Sequence, residues 1–157
     1  MRMRGLRTSP HLHRDERGAA AVEFAIVATI FFMLVFGIID FGFAFHSWNN
    51  AVNAAREGAR LAAVDPYGPA ITSRVTTSAS GLDPTKLTIQ FECSKFSNGS
   101  YGPFAACPDP QTVVAAGDII RVTVNYQYNM LTPIGSFVPG LGTSLTLHSS
   151  SESRYEG

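Results

Sequence analysis

A carboxylate lies near the start of the long apolar run of the chain, five residues after a glycine. Glu23 follows Gly18 in the stretch RGAAAVEF. In the first turns of a membrane helix a carboxylate is unfavourable by about 1 to 3 kcal/mol, depending on depth, so it needs a partner. Hydrolysis of the bond between Gly18 and Ala19 would create one, because the new amine is positively charged at neutral pH. Glu23 of one subunit would then pair with the Ala19 amine of a neighbour.

A simpler interpretation of this carboxylate is also open. A glutamate at the start of a helix can lie at the membrane surface, where the positive end of the helix dipole favours it. The distance from Gly18 to Glu23 is what favours the processing hypothesis over this one.

The remaining reactive side chains form no recognisable catalytic, metal or cofactor site. The sequence has neither a Gly-x-Ser-x-Gly turn nor a phosphate-binding loop. Its four histidines are too scattered for metal ligation: His11, His13, His46 and His148. The formal net charge is zero and the arginines form no stripe, which excludes nucleic acid as the expected partner. We therefore expect a non-catalytic protein without a metal or cofactor.

One long apolar run predicts a membrane-spanning helix. Residues 24–39 carry no charge, and residues 19–22 and 41–45 extend the run. At about 1.5 Å per residue, this length crosses a hydrocarbon core of about 30 Å. A cleaved secretory signal is the alternative, but such a signal has a short apolar region that ends in a small-x-small site, whereas this run continues through residues 40–43. A single pass through the lipid bilayer is the prediction.

Charges on either side of this run predict its orientation. Five arginines precede it, namely Arg2, Arg4, Arg7, Arg14 and Arg17. After it, the first basic residue is Arg56. The N-terminus should therefore be cytoplasmic and the C-terminal region extracytoplasmic. Asp40 then lies near the outer boundary of the bilayer, where we expect a solvated or helix-pairing residue.

The two cysteines agree with an exported C-terminal region. Cys93 and Cys107 are the only cysteines in the chain. A pair in an oxidising compartment is most simply a disulfide, whereas a zinc site would need more ligands. Closing a loop of this length stabilises the fold by about 3 kcal/mol in the chain-entropy model.

Periodicity predicts the fold beyond the membrane. Small residues recur at helical spacing up to residue 63, and DPYGP then ends a helix over residues 19–64. A short helix is expected within residues 70–80. Apolar residues alternate from Leu87 to Cys93 and from Ile120 to Tyr128, and a weaker strand begins at Ser144. These elements predict an α+β fold, in which a small antiparallel sheet packs on the Ala-rich outer half of the helix.

Three motifs in order resemble one family. RGAAAVEFAIV, GIIDFGFAF and NAVNAAREGARLAA resemble successive parts of the TadE-like domain over residues 17–63. The first also resembles the type IV prepilin processing site, with a basic leader, a glycine, four small or apolar residues and a glutamate. TadE-like proteins are minor pseudopilins of tight-adherence (Flp) pilus systems.

The resemblance implies processing between Gly18 and Ala19, with Glu23 and Phe24 as the recognition pair. Residues 1–18 would be a cytoplasmic leader, and residues 65–157 an extracytoplasmic β-rich region. Implied partners are a prepilin peptidase, the major Flp pilin, other minor pseudopilins and an assembly platform in the bacterial inner membrane. Ala19, Glu23 and Asp40 are the candidates for subunit pairing. The competing hypothesis is an unprocessed single-pass membrane protein whose exported domain binds something else.

Overall fold

Helix α1 dominates the N-terminal part of the computed structural model, which describes residues 12–137, 140 and 142–157. It runs from Leu12–Ala62, a length of 51 residues. The observed helix begins earlier than the one predicted over residues 19–64, because the leader segment between Leu12 and Arg17 contains good helix formers. It ends close to the predicted position, since Pro66 disfavours a helical residue before it. Residues 1–11 of the expected leader lie outside the described residues.

A second helix and a four-stranded sheet follow. Helix α2, Gly68–Ser78, agrees with the short helix expected within residues 70–80 and has a proline in its first turn. The strands are β1 (Leu87–Ser94), β2 (Phe96–Ser97), β3 (Ser100–Tyr101), β4 (Ala105–Ala106), β5 (Ile119–Asn129) and β6 (Ser144–Arg154). Short 3₁₀ turns lie at Pro84–Lys86 and Pro110–Thr112, and a one-turn helix α3 lies at Ile134–Phe137. Four of these strands form one sheet in the order β4-β1-β5-β6, and β2 and β3 form a separate pair.

Every pairing in this sheet is antiparallel, and its register follows the predicted alternation. Ile89 of β1 lies opposite Val124 of β5, and Cys93 lies opposite Ile120. The even-numbered residues of β5 are buried from Ile120 to Tyr128. The expected small antiparallel sheet with one apolar face is therefore confirmed, and the fold is α+β.

A tight turn joins β2 to β3. Asn98 has a φ of 52° and Gly99 a φ of 81°. Two consecutive positive φ values match a type I′ hairpin turn, for which Asn-Gly is the preferred pair. Asn98 is also the first residue of an Asn-Gly-Ser glycosylation sequon, but the turn by itself explains why Asn and Gly occur at these positions.

Chain packing divides the protein into two units, residues up to Ile39 and Asp40–Gly157. In the second unit, α1 presents a face of small buried residues: Ala51, Ala54, Ala55, Gly58, Ala59 and Ala62. A Cβ atom placed on Gly58 would contact Val75 of α2, and would lie 3.2 Å from Val122 of β5. The helix thus packs closely against both the sheet and α2.

The predicted disulfide joins β1 to the segment after β4. Cys93 and Cys107 are bonded, with their Cα atoms 5.8 Å apart. This separation lies within the range usual for disulfides. The Cys107 amide also donates to the Phe91 carbonyl at 3.0 Å, so the same point is held by a backbone hydrogen bond.

We predict that Gly58→Ala destabilises the protein. The added methyl group must displace Val75, a β-branched side chain with little freedom to move. Overpacking of this kind costs about 1 to 3 kcal/mol, which exceeds the gain of about 1 kcal/mol in helix propensity. Thermal unfolding of the full chain in detergent micelles measures the effect.

Gly42→Ala is the matched control on the same helix. A Cβ atom at Gly42 meets no atom within 4 Å, so the propensity gain should stand alone. An equal or higher melting temperature for both variants would contradict the close packing at Gly58.

Candidate functional site

The residues of the predicted processing site lie together on the first half of α1. Gly18, Ala19, Glu23 and Phe24 are helical and exposed. A Cβ atom on Gly18 would meet nothing within 4 Å, so the backbone at the predicted cleavage position is not covered by described residues. Processing itself stays a prediction.

Many large apolar side chains lie along the same part of α1 and are also exposed. They include Val22, Phe24, Ile26, Val27, Ile30, Phe31, Phe32, Leu34 and Ile38. Within the described residues, the helical stretch Gly18–Ala62 is long and apolar enough to cross a membrane. An exposed apolar surface of this extent requires a non-aqueous environment. The orientation of the helix in a membrane stays a prediction.

Asp40 is the centre of a hydrogen-bond cluster in the second unit. Its side chain is only 5% exposed. One carboxylate oxygen accepts from the Leu131 amide at 2.7 Å and from the Tyr128 hydroxyl at 3.2 Å. The other accepts from the Thr132 amide at 3.2 Å and from the Thr132 hydroxyl. Four donors satisfy the carboxylate, so its burial is compatible with a charged state.

This cluster corrects the expectation that Asp40 is solvated. Its partners lie 88 to 92 residues further along the chain, which no local pattern in the sequence reveals. A role in subunit pairing stays a prediction, but the oxygens that would serve it are occupied by donors of the same chain. Asp40 fastens the end of β5 and the following loop to helix α1.

Tyr128 is the buried member of this cluster on the sheet. Its burial, reinforced by the hydrogen bond to Asp40, raises the pKa of Tyr128 to about 12. Both causes favour the neutral phenol, because an ionised tyrosine would be poorly solvated and would lie beside a carboxylate. The hydroxyl therefore remains a donor to Asp40 at neutral pH.

A second charged cluster lies on the opposite face of the sheet. Arg121 Nε donates to Glu152 at 2.9 Å and Arg121 Nη1 to Glu92 at 3.1 Å. Its guanidinium carbon also lies 3.5 Å from the centre of the Phe104 ring. The hydrogen bond to Glu152 is the largest influence that raises the pKa of Arg121. Both glutamates lie directly opposite Arg121 on neighbouring strands, so the cluster stabilises cross-strand pairing.

His46 and His148 take part in side-chain hydrogen bonds. His46 Nε2 lies 3.2 Å from the Asn50 amide nitrogen, one helical turn away. His148 Nδ1 lies 2.7 Å from Asn125 Oδ1 on the neighbouring strand. In the part of the chain that the structure describes, no group of three His, Cys, Asp or Glu side chains could hold a metal ion.

Trp48 connects the helix to the edge of the sheet. Its indole nitrogen donates to the His148 carbonyl of β6 at 3.2 Å. The hydrogen bond shows a structural role that the sequence pattern did not indicate.

We predict that Asp40→Ala lowers the stability of the second unit by about 2 to 4 kcal/mol, because buried amides of the loop lose a charged acceptor. Thermal unfolding in micelles should show a clearly lower melting temperature. Asp65→Ala is the control, since exposed Asp65 accepts from the Tyr67 amide at 3.1 Å, outside the Asp40 cluster. An equally small loss in the two variants would contradict the central role of Asp40.

The raised pKa of Tyr128 predicts a loss of stability in strong alkali. The unfolded chain releases the phenolic proton near pH 10, whereas the folded chain retains it to about pH 12. The stabilisation is therefore complete below pH 10 and is lost as the pH rises through 12. Titration of tyrosinate absorbance should show a late ionisation step, which disappears in Tyr128→Phe. Persistence of that step in the variant would refute the assignment.

Comparison with known proteins supports the resemblance carried by the three sequence motifs. Residues 18–60 match the model of a family described as TadE-like protein. No curated protein matches the chain, and no solved structure does. The matched segment lies inside α1, and it extends from Gly18 through Asp40 to the face of small residues. Residues 18–60 are therefore similar to TadE-like proteins, as the motifs predicted.

Proposed function

We propose that this protein is a minor pseudopilin, a non-catalytic component of a tight-adherence (Flp) type IV pilus. The TadE-like match indicates a component associated with a Tad pilus. The pseudopilin role rests on the position of the family match. The matched residues lie on helix α1, whose first half exposes a continuous apolar surface. Such a helix suits a subunit that is stored in a membrane and then packs against other helices.

In this proposal α1 anchors the protein in the bacterial cytoplasmic membrane. Residues 1–18 are the basic cytoplasmic leader, and residues 65–157 are extracytoplasmic. The excess of arginine before the apolar run supports this orientation. The disulfide also supports it, because Cys93 and Cys107 require an oxidising compartment to stay bonded. The protein acts from the membrane or as a part of the filament.

A prepilin peptidase would cleave between Gly18 and Ala19. This bond lies inside α1, so the first turns must unwind before a protease can bind an extended backbone. Gly18 lowers the cost of unwinding, because glycine is less favourable than alanine in a helix by about 1 kcal/mol. Glu23 and Phe24 lie exposed within two turns of the bond, where a peptidase could recognise them.

Cleavage would also prepare the subunit for assembly. The new amine of Ala19 and the carboxylate of Glu23 are four residues apart, which places them on one face of the helix. Between neighbouring subunits each amine could pair with the other subunit's carboxylate. The proposed assembly partners are the major Flp pilin, other minor pseudopilins and the inner-membrane assembly platform.

We predict that the mature protein begins at Ala19 in a host with its prepilin peptidase. Intact-mass measurement and N-terminal sequencing test this directly. Gly18→Leu should block cleavage and retain the leader, because a branched side chain then stands where the protease needs an unhindered backbone. A wild-type protein that keeps its full length, or is cut near Phe45, would instead favour an unprocessed single-pass protein or a cleaved signal.

Glu23→Gln separates processing from assembly. The amide keeps the size of the side chain but removes its charge, so the variant should insert and be cleaved while surface piliation falls. Piliation is measured by shearing and microscopy in a strain that lacks the native copy. Glu57→Gln is the matched control, because it removes a charge from the same helix outside the apolar run and should leave piliation unchanged. Normal piliation with Glu23→Gln would leave the pairing hypothesis without support.

A further inference from the structure

We propose that the first part of the connection between β5 and β6 is a second membrane contact, which lies in the interfacial layer of the bilayer that α1 crosses. This part comprises residues 130–137 and is called the β5–β6 loop. The inference rests on the membrane anchoring in the proposed function and adds a contact that the family match does not cover, since the match ends at residue 60.

Asp40 fixes the level of the β5–β6 loop along the helix. The Leu131 amide donates to the Asp40 carboxylate at 2.7 Å and the Thr132 amide at 3.2 Å. These two hydrogen bonds hold the backbone at the start of the loop against one position of α1. Wherever Asp40 lies relative to the bilayer, Leu131 lies at the same depth.

Residue count places Asp40 at the outer edge of the hydrocarbon core. A membrane helix needs about 20 residues to cross the core. If the span begins at Phe24, after the last charge of the N-terminal segment, it ends near Phe43. Asp40 then lies just inside the boundary, where its four hydrogen bonds satisfy a carboxylate that lipid would not.

The surface at this level is apolar and exposed. Leu131 at the start of the loop is 65% exposed, and Phe41 and Phe43 on the helix are 72% and 52% exposed. Phe41 stacks on Phe45, and Phe45 lies against Trp48, so the aromatic rings continue along the helix beyond the boundary. Aromatic side chains are enriched at membrane–water interfaces, where they have one apolar and one hydrated side.

Strands β5 and β6 and their connection lack charged residues over a long stretch, which includes the region that would touch lipid. Residues 122–151 contain no Asp, Glu, Lys or Arg, although 15% of the chain is charged. The residues of the β5–β6 loop are MLTPIGSF, of which more than half are apolar or proline. Charged side chains are costly inside a bilayer, whereas a loop in water has no reason to exclude them. A lipid surface is therefore the occupant that this composition fits.

Site-directed fluorescence quenching in vesicles tests the inference. Both native cysteines are in the disulfide, so an added cysteine is the reactive thiol. We would label Leu131→Cys with an environment-sensitive fluorophore in the full chain, reconstituted in phosphatidylethanolamine–phosphatidylglycerol vesicles. Ile38→Cys marks the proposed span, and Ser100→Cys on β3 marks an exposed position away from the loop. Nitroxide lipids should quench the label at 131 nearly as strongly as at 38 and several-fold more than at 100.

Other outcomes would overturn the inference in distinguishable ways. If the label at 131 behaves like that at 100 while the label at 38 is quenched, the loop lies in water and the membrane anchor stands. If the label at 38 is not quenched, the proposed span itself is wrong. If emission at 131 is blue-shifted without quenching by lipid, and the shift is lost on dilution of the protein in the vesicles, a second copy of the chain covers the loop.

Discussion

The close approach of helix α1 to strand β5 is the constraint on which the second unit depends. Small residues on the helix leave room for Val122 and its neighbours on the sheet, and a Cβ atom added at Gly58 would lie 3.2 Å from Val122. Alanine and glycine bury little apolar area of their own. Most of the buried area therefore comes from the surfaces that meet them, where Ile71, Val75 and Ile120 are fully buried. Helix α1 presents a flat surface of small residues, and the side chains of the sheet and of α2 pack against it.

Local periodicity predicted the elements of this unit where one face is apolar. Strand β5 alternates cleanly, so its extent and its buried face followed from the sequence. Strand β6 was recognised only as a weak strand from Ser144, yet it pairs with β5 along its whole length to Arg154. After Leu147 its core-facing positions are occupied by serines, which give no apolar signal. Pairing with β5, rather than the sequence of β6 itself, determines where this strand ends.

The cluster around Asp40 could not be predicted in the same way. An aspartate after an apolar run has the same local sequence whether its partner is water, another helix or a distant loop. Its donors here come from the far end of β5, Tyr128, and from Leu131 and Thr132 beyond it. Only the register of the sheet and its packing on α1 bring those groups to the helix. The position of such a contact is a property of the tertiary structure, whereas the disulfide between the only two cysteines had a single possible partner.

The two acidic residues of the apolar part of α1 illustrate two solutions to one electrostatic problem. A carboxylate among apolar side chains is stable only when donors or a positive charge replace the water that it loses. Asp40 meets this requirement within its own chain, through two backbone amides and two hydroxyl groups. Glu23 lies exposed beside Val22 and Phe24. In a membrane or a bundle of helices Glu23 must therefore be stabilised by lipid headgroups, by water at the surface or by a positive charge of another subunit. This difference is the physical reason that Asp40 belongs to the fold of the protein, while the role that we propose for Glu23 depends on assembly.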